Sequence, residues 1–374
     1  MDQQNSDSGQ SQPSGSQQPT TSQQPQPSGG QQLPFGLTDI NDHEWLANYH
    51  VYKNGLLGEG QYGKVAKARD LRFKGTDVAF KICKINEPYE LDAFERELKI
   101  LQKIKGYKGV NNYTVSLLDH HHNEQKPLLS CLILPLMSSS LDNELERRRK
   151  VGGYFPLDEI RTLGIQIARG LEFLERLNII HADFKPANLM FTNDRCEHLR
   201  IIDFGHAFEK DTDIDYLIQS ADYRAMEVFL DLGSYTNAID IWSFGVILVN
   251  MHSDRSLFTA RTNENIDRQI VHQIVRMFGM PPDKMLGDFP TCNLYFEKDA
   301  NDKWQKKPMS PEDVENEEPR RRNLKTWLGL DGEGESKDYL ELIMKIMDYD
   351  VDKRIKLDDI IRHKFFEDPP APQQ

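Results

Sequence analysis

The chain has 374 residues, of which 38% are hydrophobic, so it can bury a large core, and its length favours two or three compact units. Its formal net charge of −13 argues against a nucleic-acid groove as the main functional surface. The cysteines lie far apart and form no CxxC pair, which indicates neither a disulfide framework nor a structural zinc site. They are Cys83, Cys131, Cys196 and Cys292.

Residues 1–32 consist almost entirely of Gln, Ser, Pro and Gly, with no apolar residue after Met1. This composition predicts a disordered tail, because such a segment cannot bury enough apolar surface to offset the entropy of ordering it. It also lacks the apolar region of a signal peptide. The longest apolar run, Ala238 to Met251, contains Asp240 and is shorter than the roughly 20 residues of a membrane-spanning helix. We therefore expect no membrane contact.

After a lead-in segment, residues 33–51, the pattern predicts an α+β fold with two lobes. Residues 52–137 show short strand-like runs with glycine turns and one main helix, Glu90 to Ile104. Residues 138–366 are predicted to be mainly helical, with helices from Asp158 to Leu177 and around Leu357 to Phe366. Within this lobe, the segment from about residue 280 to residue 336 is either an ordered insert or a mobile loop. Residues 367–374 form a tail.

A glycine-rich turn begins the strand-rich lobe, and its pattern is typical of phosphate binding. Glycines let the backbone approach phosphate oxygens with exposed N–H groups. The residues after this turn continue as a strand, whereas the same spacing in a dinucleotide-binding fold opens a helix, so we predict a hairpin flap over phosphates. An ordinary glycine hairpin is the alternative. The turn comprises Gly58, Glu59, Gly60, Gln61, Tyr62, Gly63 and, one residue further on, Val65.

Lys81 and Glu97 are predicted to form a buried ion pair. In the strand Val78 to Ile82, Ala79 and Lys81 lie on one face, which suits a flat ring with an ammonium reaching its phosphates. Glu97 lies on the inward face of its helix, and a buried carboxylate needs a cation. The alternatives are an exposed Lys81 and Glu95 as its partner.

Two short polar turns after apolar runs carry the groups needed for phosphoryl transfer. Asp183 is predicted to accept the proton of an attacking hydroxyl, and Lys185 to neutralise the γ-phosphate. Asn188 and Asp203 are predicted to hold Mg²⁺, because oxygen ligands suit a hard divalent cation. This combination at this interval is far more specific than any of its parts.

The histidines near these motifs have simpler interpretations than metal binding. His181 follows two isoleucines, and we interpret it as a packed turn residue. The run His120 to His122 resembles a metal site, but it lies where a strand is predicted to end, so we favour a solvated turn.

Taken together, these motifs resemble a eukaryotic protein kinase from about Tyr52 to Phe366. The resemblance implies the bilobal protein-kinase fold, with ATP and Mg²⁺ as cofactors. The sequence is similar to the CMGC group of protein kinases. Within that group it is most like the homeodomain-interacting protein kinases, followed by the dual-specificity tyrosine-regulated kinases. The matching segments are GEGQYGKV, VAFK, HADFKPAN, DFG, YLIQS, AME and AIDIWSFG.

The resemblance implies an adenine site and internal supports for the catalytic loop. Leu57 and Val65 would sandwich the adenine with Ala79, and Glu227 would pair with Arg354. Asp240 would brace the catalytic loop. The residue before the hinge would be Leu134, and the hinge itself would comprise Pro135, Leu136 and Met137. Only the carbonyl of the first hinge residue is used in the family, so proline is acceptable there, and Met137 supplies the N–H.

Departures from the family bear on regulation. Ala182 and Ala221 occupy the places of arginines that grip a phosphorylated activation loop, so phosphorylation of Tyr216 should stabilise the active loop less than in relatives that keep either arginine. Met226 replaces the usual proline. Arg224 resembles the CMGC arginine that is associated with proline after the phosphoacceptor, which predicts a proline-tolerant Ser/Thr site.

The leading hypothesis is an ATP- and Mg²⁺-dependent protein serine/threonine kinase, with tyrosine autophosphorylation at Tyr216. A catalytically weak, pseudokinase-like scaffold is the alternative. A small-molecule kinase fits less well, because Ala225 to Glu227 and Arg354 match the peptide-binding apparatus of protein kinases. Expected partners are protein substrates and nuclear regulatory proteins, with no direct nucleic acid, in the nucleus and/or cytoplasm. Arg147 to Lys150 and Arg320 to Arg322 are either nuclear-import patches or solvated charge.

Overall fold

The computed structural model describes residues 48–60, 63–72, 75–83, 85, 87–122, 130–260, 262, 264–287, 291–308 and 323–367. The predicted tail over residues 1–32 and most of the lead-in segment lie outside the described residues. So do Gln61, Tyr62, part of the insert and nearly all of the C-terminal tail.

The N-terminal lobe is a five-stranded antiparallel sheet with one long helix. The strands are ordered β1-β2-β3-β5-β4, and their bounds are β1 Tyr49–Gly60, β2 Gly63–Asp70, β3 Thr76–Cys83, β4 Asp119–His121 and β5 Cys131–Pro135. One face buries a small apolar cluster that includes Val51, Val78 and Phe80. The alternation of buried and open faces follows from the two-residue period of a strand.

Helix α1, Pro88–Lys105, begins at a proline in its first turn, and the Glu90 carboxylate accepts a hydrogen bond from the Glu87 N–H at 3.2 Å. Its buried stripe includes Phe94, Glu97 and Leu101. The Glu97 carboxylate therefore lies on the same buried face of α1, toward the sheet, as the apolar side chains.

The C-terminal lobe is mainly helical. Its helices are α2 Leu141–Lys150, α3 Leu157–Arg176, α4 Met226–Phe229, α5 Ala238–Met251, α6 Ile266–Phe278, α7 Cys292–Tyr295, α8 Leu324–Leu328, α9 Gly334–Ile346 and α10 Leu357–Ile361. Three short antiparallel ribbons join them: β6 Ile179–Ile180 with β9 Phe208–Glu209, β7 Leu189–Phe191 with β8 Leu199–Ile201, and β10 Phe296–Lys298 with β11 Trp304–Lys306. The structure confirms the predicted α+β class with a strand-rich and a helical lobe.

Helix α5 forms the centre of the helical lobe, and every one of its residues is buried. A helix that is apolar on all sides is typical of such a position. Gly245 allows α9 to approach closely, because an added Cβ would lie 2.5 Å from Ile346 Cγ2. Among the described residues, no helix is long and apolar enough to cross a membrane.

The structure differs from two local predictions and favours one of the two alternatives for the insert. His120 and His121 belong to strand β4 and pair with β5, so the predicted solvated turn is wrong. The predicted last helix ends at Ile361, and a 3₁₀ turn follows because His363 Nδ1 accepts the N–H of Phe365 at 3.3 Å. In the insert, the described residues fold into short helices and the β10–β11 ribbon, which favours the ordered alternative.

A buried ion pair ties α4 to the start of α5 and to the chain before α10. Arg354 donates two hydrogen bonds to the Glu227 carboxylate, at 2.6 and 3.0 Å, which confirms the predicted partner. It also donates to the carbonyls of Ala238 and Asp348. The Arg354 side chain is fully buried, so these bonds compensate a charge that water cannot reach.

Arg354→Ala is expected to lower the free energy of unfolding by about 3–5 kcal/mol, because it leaves the Glu227 carboxylate buried and unpaired. Lys150→Ala is the control, since Lys150 and Glu146 form an exposed pair with side chains 76% and 62% accessible, and such pairs contribute about 0–1 kcal/mol. Urea denaturation of both variants measures the difference. Equal losses of stability would contradict the role of the buried pair.

Candidate active site

The Lys81 ammonium lies at the centre of the site and contacts two carboxylates. Its Nζ donates to Glu97 Oε1 and Oε2 at 2.8 and 2.7 Å, and to Asp203 Oδ1 at 2.8 Å. The predicted Lys81–Glu97 pair is therefore confirmed, and Glu95 is not the partner. Burial lowers the pKa of Lys81, but the charges of Asp203 and Glu97 outweigh burial and raise it above its usual value.

The same ammonium determines the protonation of Asp203. Burial raises the pKa of its carboxyl, but Lys81, with smaller contributions from His181 and His206, outweighs burial and holds the pKa well below the usual range. Asp203 has a positive φ of 61°, a left-handed conformation that is uncommon for a residue with a side chain. An ionised carboxylate thus lies beside Lys81, with 35% of its side chain exposed.

Strand register places the predicted adenine-binding residues on one face of the sheet. Val65 is opposite Lys81, and Ala79 is opposite Leu134. Opposed residues of antiparallel strands point to the same face, and so do Ala79 and Lys81 two residues apart. Leu57 is 52% exposed just before the glycine turn.

The hinge follows directly from this sheet. Pro135 ends β5 opposite Val78, and Met137 lies two residues beyond it, partly buried. Gly58, Glu59, Gly60 and Gly63 lie at the adjoining ends of β1 and β2, where Glu59 is opposite Lys64.

Asp240 of α5 holds the loop that carries Asp183 through two hydrogen bonds to its backbone. Asp240 Oδ2 accepts the N–H of His181 at 2.7 Å, and Oδ1 accepts the N–H of Ala182 at 3.0 Å. Ala182 is fully buried with a positive φ of 60°. Two backbone donors on one buried carboxylate hold this unusual turn in place.

His181 makes hydrogen bonds within the protein and is a packed structural residue. Its Nδ1 lies 3.3 Å from the Asp183 N–H and must accept that proton, so Nε2 carries the ring proton and donates to the Ile202 carbonyl at 3.0 Å. The ring therefore joins the Asp183 loop to the residue before Asp203. Among the described residues, no group of three His, Cys, Asp or Glu side chains is arranged to hold a metal ion.

Asp183 is surrounded by hydrogen-bond donors. The Lys185 ammonium lies 2.7 Å from Oδ2, and Ser220 donates to Oδ1 from Oγ at 2.8 Å and from its N–H at 3.2 Å. Burial raises the pKa of the carboxyl, but Lys185, His206 and the Ser220 hydroxyl together outweigh burial and keep the pKa below its usual value, with Lys185 contributing most. Ser220 was missed in the sequence, although it ends the YLIQS segment, because nothing local indicates its return to Asp183.

Asn188 and Asp203 fit a hard cation by their donor chemistry. The Asn188 amide nitrogen donates to the Asp183 carbonyl at 2.8 Å, which leaves Oδ1 as the atom for a metal. One amide oxygen and one carboxylate are few ligands for Ca²⁺, but they suit Mg²⁺, which keeps several waters and phosphate oxygens.

Comparison with known proteins identifies the family. The protein kinase domain matches residues 51–366. The chain belongs to the protein kinase family. It is similar to mitogen-activated protein kinase 13 of Bos taurus and of Mus musculus, with 29% identity over 89% of this chain and 82% of each relative. Dual specificity protein kinase CLK2 of Mus musculus is 28% identical over 86% of this chain and 65% of its own length.

Arg224, the residue predicted to lie on the substrate side, is buried. Arg224 donates to the carbonyl of Gln219 through Nε at 3.2 Å and Nη2 at 2.9 Å, and to Asp267 of α6 at 2.9 Å. Gln219 has a positive φ of 58°, and its side-chain nitrogen donates to Ile239 and Ser243. Gln219 was also missed in the sequence, because its role depends on this turn.

Tyr216 lies on residues 203–227, which we call the activation segment. Its ring packs against Arg96 of α1, and its hydroxyl donates to the His206 carbonyl at 3.3 Å. The predicted regulatory tyrosine therefore contacts the helix that carries Glu97.

In the kinase, Lys185→Met is expected to raise the pKa of Asp183, because it removes the largest favourable charge while burial remains. The acid limb of the pH profile of kcat/KM should move to higher pH. The position of the limb is the readout, since loss of Lys185 also lowers the rate. Lys150→Met, an exposed control, should leave the limb in place, and an unmoved limb in Lys185→Met would contradict the assignment.

Proposed function

We propose that this chain is an ATP- and Mg²⁺-dependent protein serine/threonine kinase. The observation that carries the proposal is the position of the Lys81 ammonium, within 2.8 Å of both the Glu97 and Asp203 carboxylates. A lysine held by a helix carboxylate is oriented toward α- and β-phosphates. Its second partner, Asp203, is one of the two residues that would hold Mg²⁺.

On this proposal, the sheet face of Val65, Ala79 and Leu134 contacts the adenine together with Leu57. Met137 offers the hinge N–H, and the missing N–H of Pro135 costs nothing if only its carbonyl is used. The glycine turn is proposed to cover the phosphates; its residues Gln61 and Tyr62 lie outside the described residues. Asn188 and Asp203 would hold Mg²⁺, and the charge that the ion supplies when bound would stabilise the negative charge of the phosphates.

Asp183 is the proposed base. Its carboxylate is ionised at neutral pH. It accepts the proton of the substrate hydroxyl as that oxygen bonds to the γ-phosphorus, while the bond from the γ-phosphorus to the β,γ-bridging oxygen breaks and ADP leaves. Ser220 donates to Asp183 Oδ1, and Lys185 lies beside Oδ2, so both orient the carboxylate. Lys185 is then also placed to neutralise the transferred phosphate, and it supports the serine/threonine class.

The finer family assignment is also a proposal. We infer membership of the CMGC group, most like the homeodomain-interacting protein kinases, from the HADFKPAN and YLIQS segments and from Arg224. The similarity to mitogen-activated protein kinase 13 and CLK2 supports the group. The contacts of Tyr216 support a different role from the autophosphorylation that the resemblance implies.

Protein substrates are the proposed partners, and the nucleus and/or cytoplasm the proposed location. The basic run on α2 gives little support for nuclear import, because Arg147 and Arg148 pair with Glu144. Arg149 donates to the carbonyls of Asn250 and Ser253 beside the end of α5. The other run, residues 320–322, lies outside the described residues. Nuclear regulatory proteins are further proposed partners.

The second candidate is a scaffold with weak catalysis, which the alanines at 182 and 221 favour. A thermal-shift titration with ATP and Mg²⁺ beside a radiolabelled transfer assay on a basic protein separates the two. A scaffold shifts without labelling the protein.

Asp183→Asn is expected to lower kcat by about 10²- to 10⁴-fold while the ATP·Mg²⁺ thermal shift is kept, because the change removes the base and leaves the nucleotide site intact. Asp203→Asn should lose the Mg²⁺-dependent part of that shift. Asp254→Asn, on an exposed loop, is the matched control. Equal phosphate transfer by the wild type and Asp183→Asn would refute the assigned base.

Peptides with proline after the phosphoacceptor are expected to be phosphorylated at least as efficiently as matched alanine peptides. The Gln219 carbonyl is bound to Arg224 and is not offered to a substrate N–H, so a residue without an N–H loses no hydrogen bond. Paired Ser-Pro and Ser-Ala peptides measure kcat/KM. A tenfold or greater disadvantage for proline would contradict this view of the pocket.

A further inference from the structure

One face of α1 is basic and contacts the activation segment. Arg96, Lys99 and Lys103 recur at spacings of three and four, so they lie on the same side of the helix. Lys103 and Lys99 both pair with Glu209, Lys99 at 2.8 Å, and they lower the pKa of that carboxyl to about 2. Arg96 contacts two further points of the segment.

The Arg96 guanidinium contacts the activation segment near its start, at Gly205, and near its middle, at Tyr216. Its carbon lies 4.1 Å from the centroid of the Tyr216 ring, within the range of a cation–π contact, and its Nε donates to the Gly205 carbonyl at 3.4 Å. Arg96 immediately precedes Glu97, the partner of Lys81. The Lys81–Glu97 pair and the Arg96–Tyr216 contact therefore both depend on the position of the same turn of α1.

The Tyr216 hydroxyl is arranged for the unmodified residue. It donates a hydrogen bond to the His206 carbonyl. A phosphate on this oxygen would replace the donor by acceptors and bring nearly two negative charges against a carbonyl oxygen. Ala182 and Ala221 have no side chain that reaches a phosphate, and the Arg224 guanidinium is bound to backbone carbonyls and Asp267.

We propose that Arg96 is a positioning residue that holds α1 in place by stacking on the neutral Tyr216 ring, so that the active arrangement needs no phosphate on the activation segment. This inference rests on the proposed kinase activity and concerns its regulation. The contact between Arg96 and the Tyr216 ring thus replaces the contact between arginine and phosphate, which Ala182 and Ala221 cannot make.

The test uses the full chain, co-expressed with a tyrosine phosphatase and checked by intact mass for the absence of phosphate. Four variants are compared with the wild type in ATP-dependent transfer to a peptide: Arg96→Ala, Tyr216→Ala, Tyr216→Phe and the double alanine variant. Lys105→Ala is the control, because Lys105 lies on the same helix but donates to the Leu118 carbonyl, away from the segment.

Arg96→Ala and Tyr216→Ala should each lower kcat/KM for ATP by about tenfold, the range expected for a partly buried cation–π contact. The double variant should lose no more than either single one, because both remove one interaction. Tyr216→Phe keeps the ring and should stay within about threefold of the unphosphorylated wild type, as should Lys105→Ala. The KM for the peptide should not change.

Three results would overturn the proposal. Tyr216→Phe falling as far as Tyr216→Ala would assign the effect to the hydroxyl or its phosphate. Multiplying losses in the double variant would show independent effects, and full activity of Arg96→Ala would remove the contact from the mechanism.

A wild type without transfer activity would refute the proposed function but would still leave this inference testable. Amide hydrogen exchange of residues 94–101 then decides it. Faster exchange in Arg96→Ala and Tyr216→Ala, and not in Tyr216→Phe, supports the stacking contact. Unchanged exchange in all of them refutes it.

Discussion

The site depends on one buried cation shared by two carboxylates. Lys81 comes from the sheet, Glu97 from α1 and Asp203 from the activation segment, so a single ammonium joins the three parts of the chain that form the cleft. Each carboxylate would be costly to bury alone, and each is stabilised by the same charge. Loss of Lys81 would leave both carboxylates without a cation, whereas loss of either carboxylate would leave Lys81 paired with the other. This coupling links the position of α1 to that of Asp203.

The helical lobe holds the turn that carries Asp183 in place through buried hydrogen bonds. Asp240 holds the turn before Asp183 through two backbone donors, and His181 ties that turn to Ile202. Asp240 and His181 belong to the buried centre of the helical lobe, whereas Arg96 lies on α1 of the strand-rich lobe and contacts Tyr216 of the activation segment. The turn that carries Asp183, the proposed base, is thus held by buried contacts. On our proposal, the position of α1 depends in addition on the contact between Arg96 and Tyr216.

Sequence reasoning located the residues whose signal is local. Glu97 was found because Phe94 and Leu101 define the buried stripe, and Asp183, Asn188 and Asp203 because their spacing is specific. Ser220, Gln219 and Arg96 could not be found in this way, since their partners depend on the path of the activation segment. The error at His120 has a similar cause, because that edge strand forms only by pairing with residues beyond residue 130.

A crystal structure of the chain with Mg²⁺ and a non-hydrolysable ATP analogue tests the central claim most directly. Lys81 should then keep its bond to Glu97 and contact the α- and β-phosphates, with the metal on Asn188 and Asp203. The γ-phosphate should face Asp183. A nucleotide bound elsewhere, or a metal held by other residues, would contradict the account.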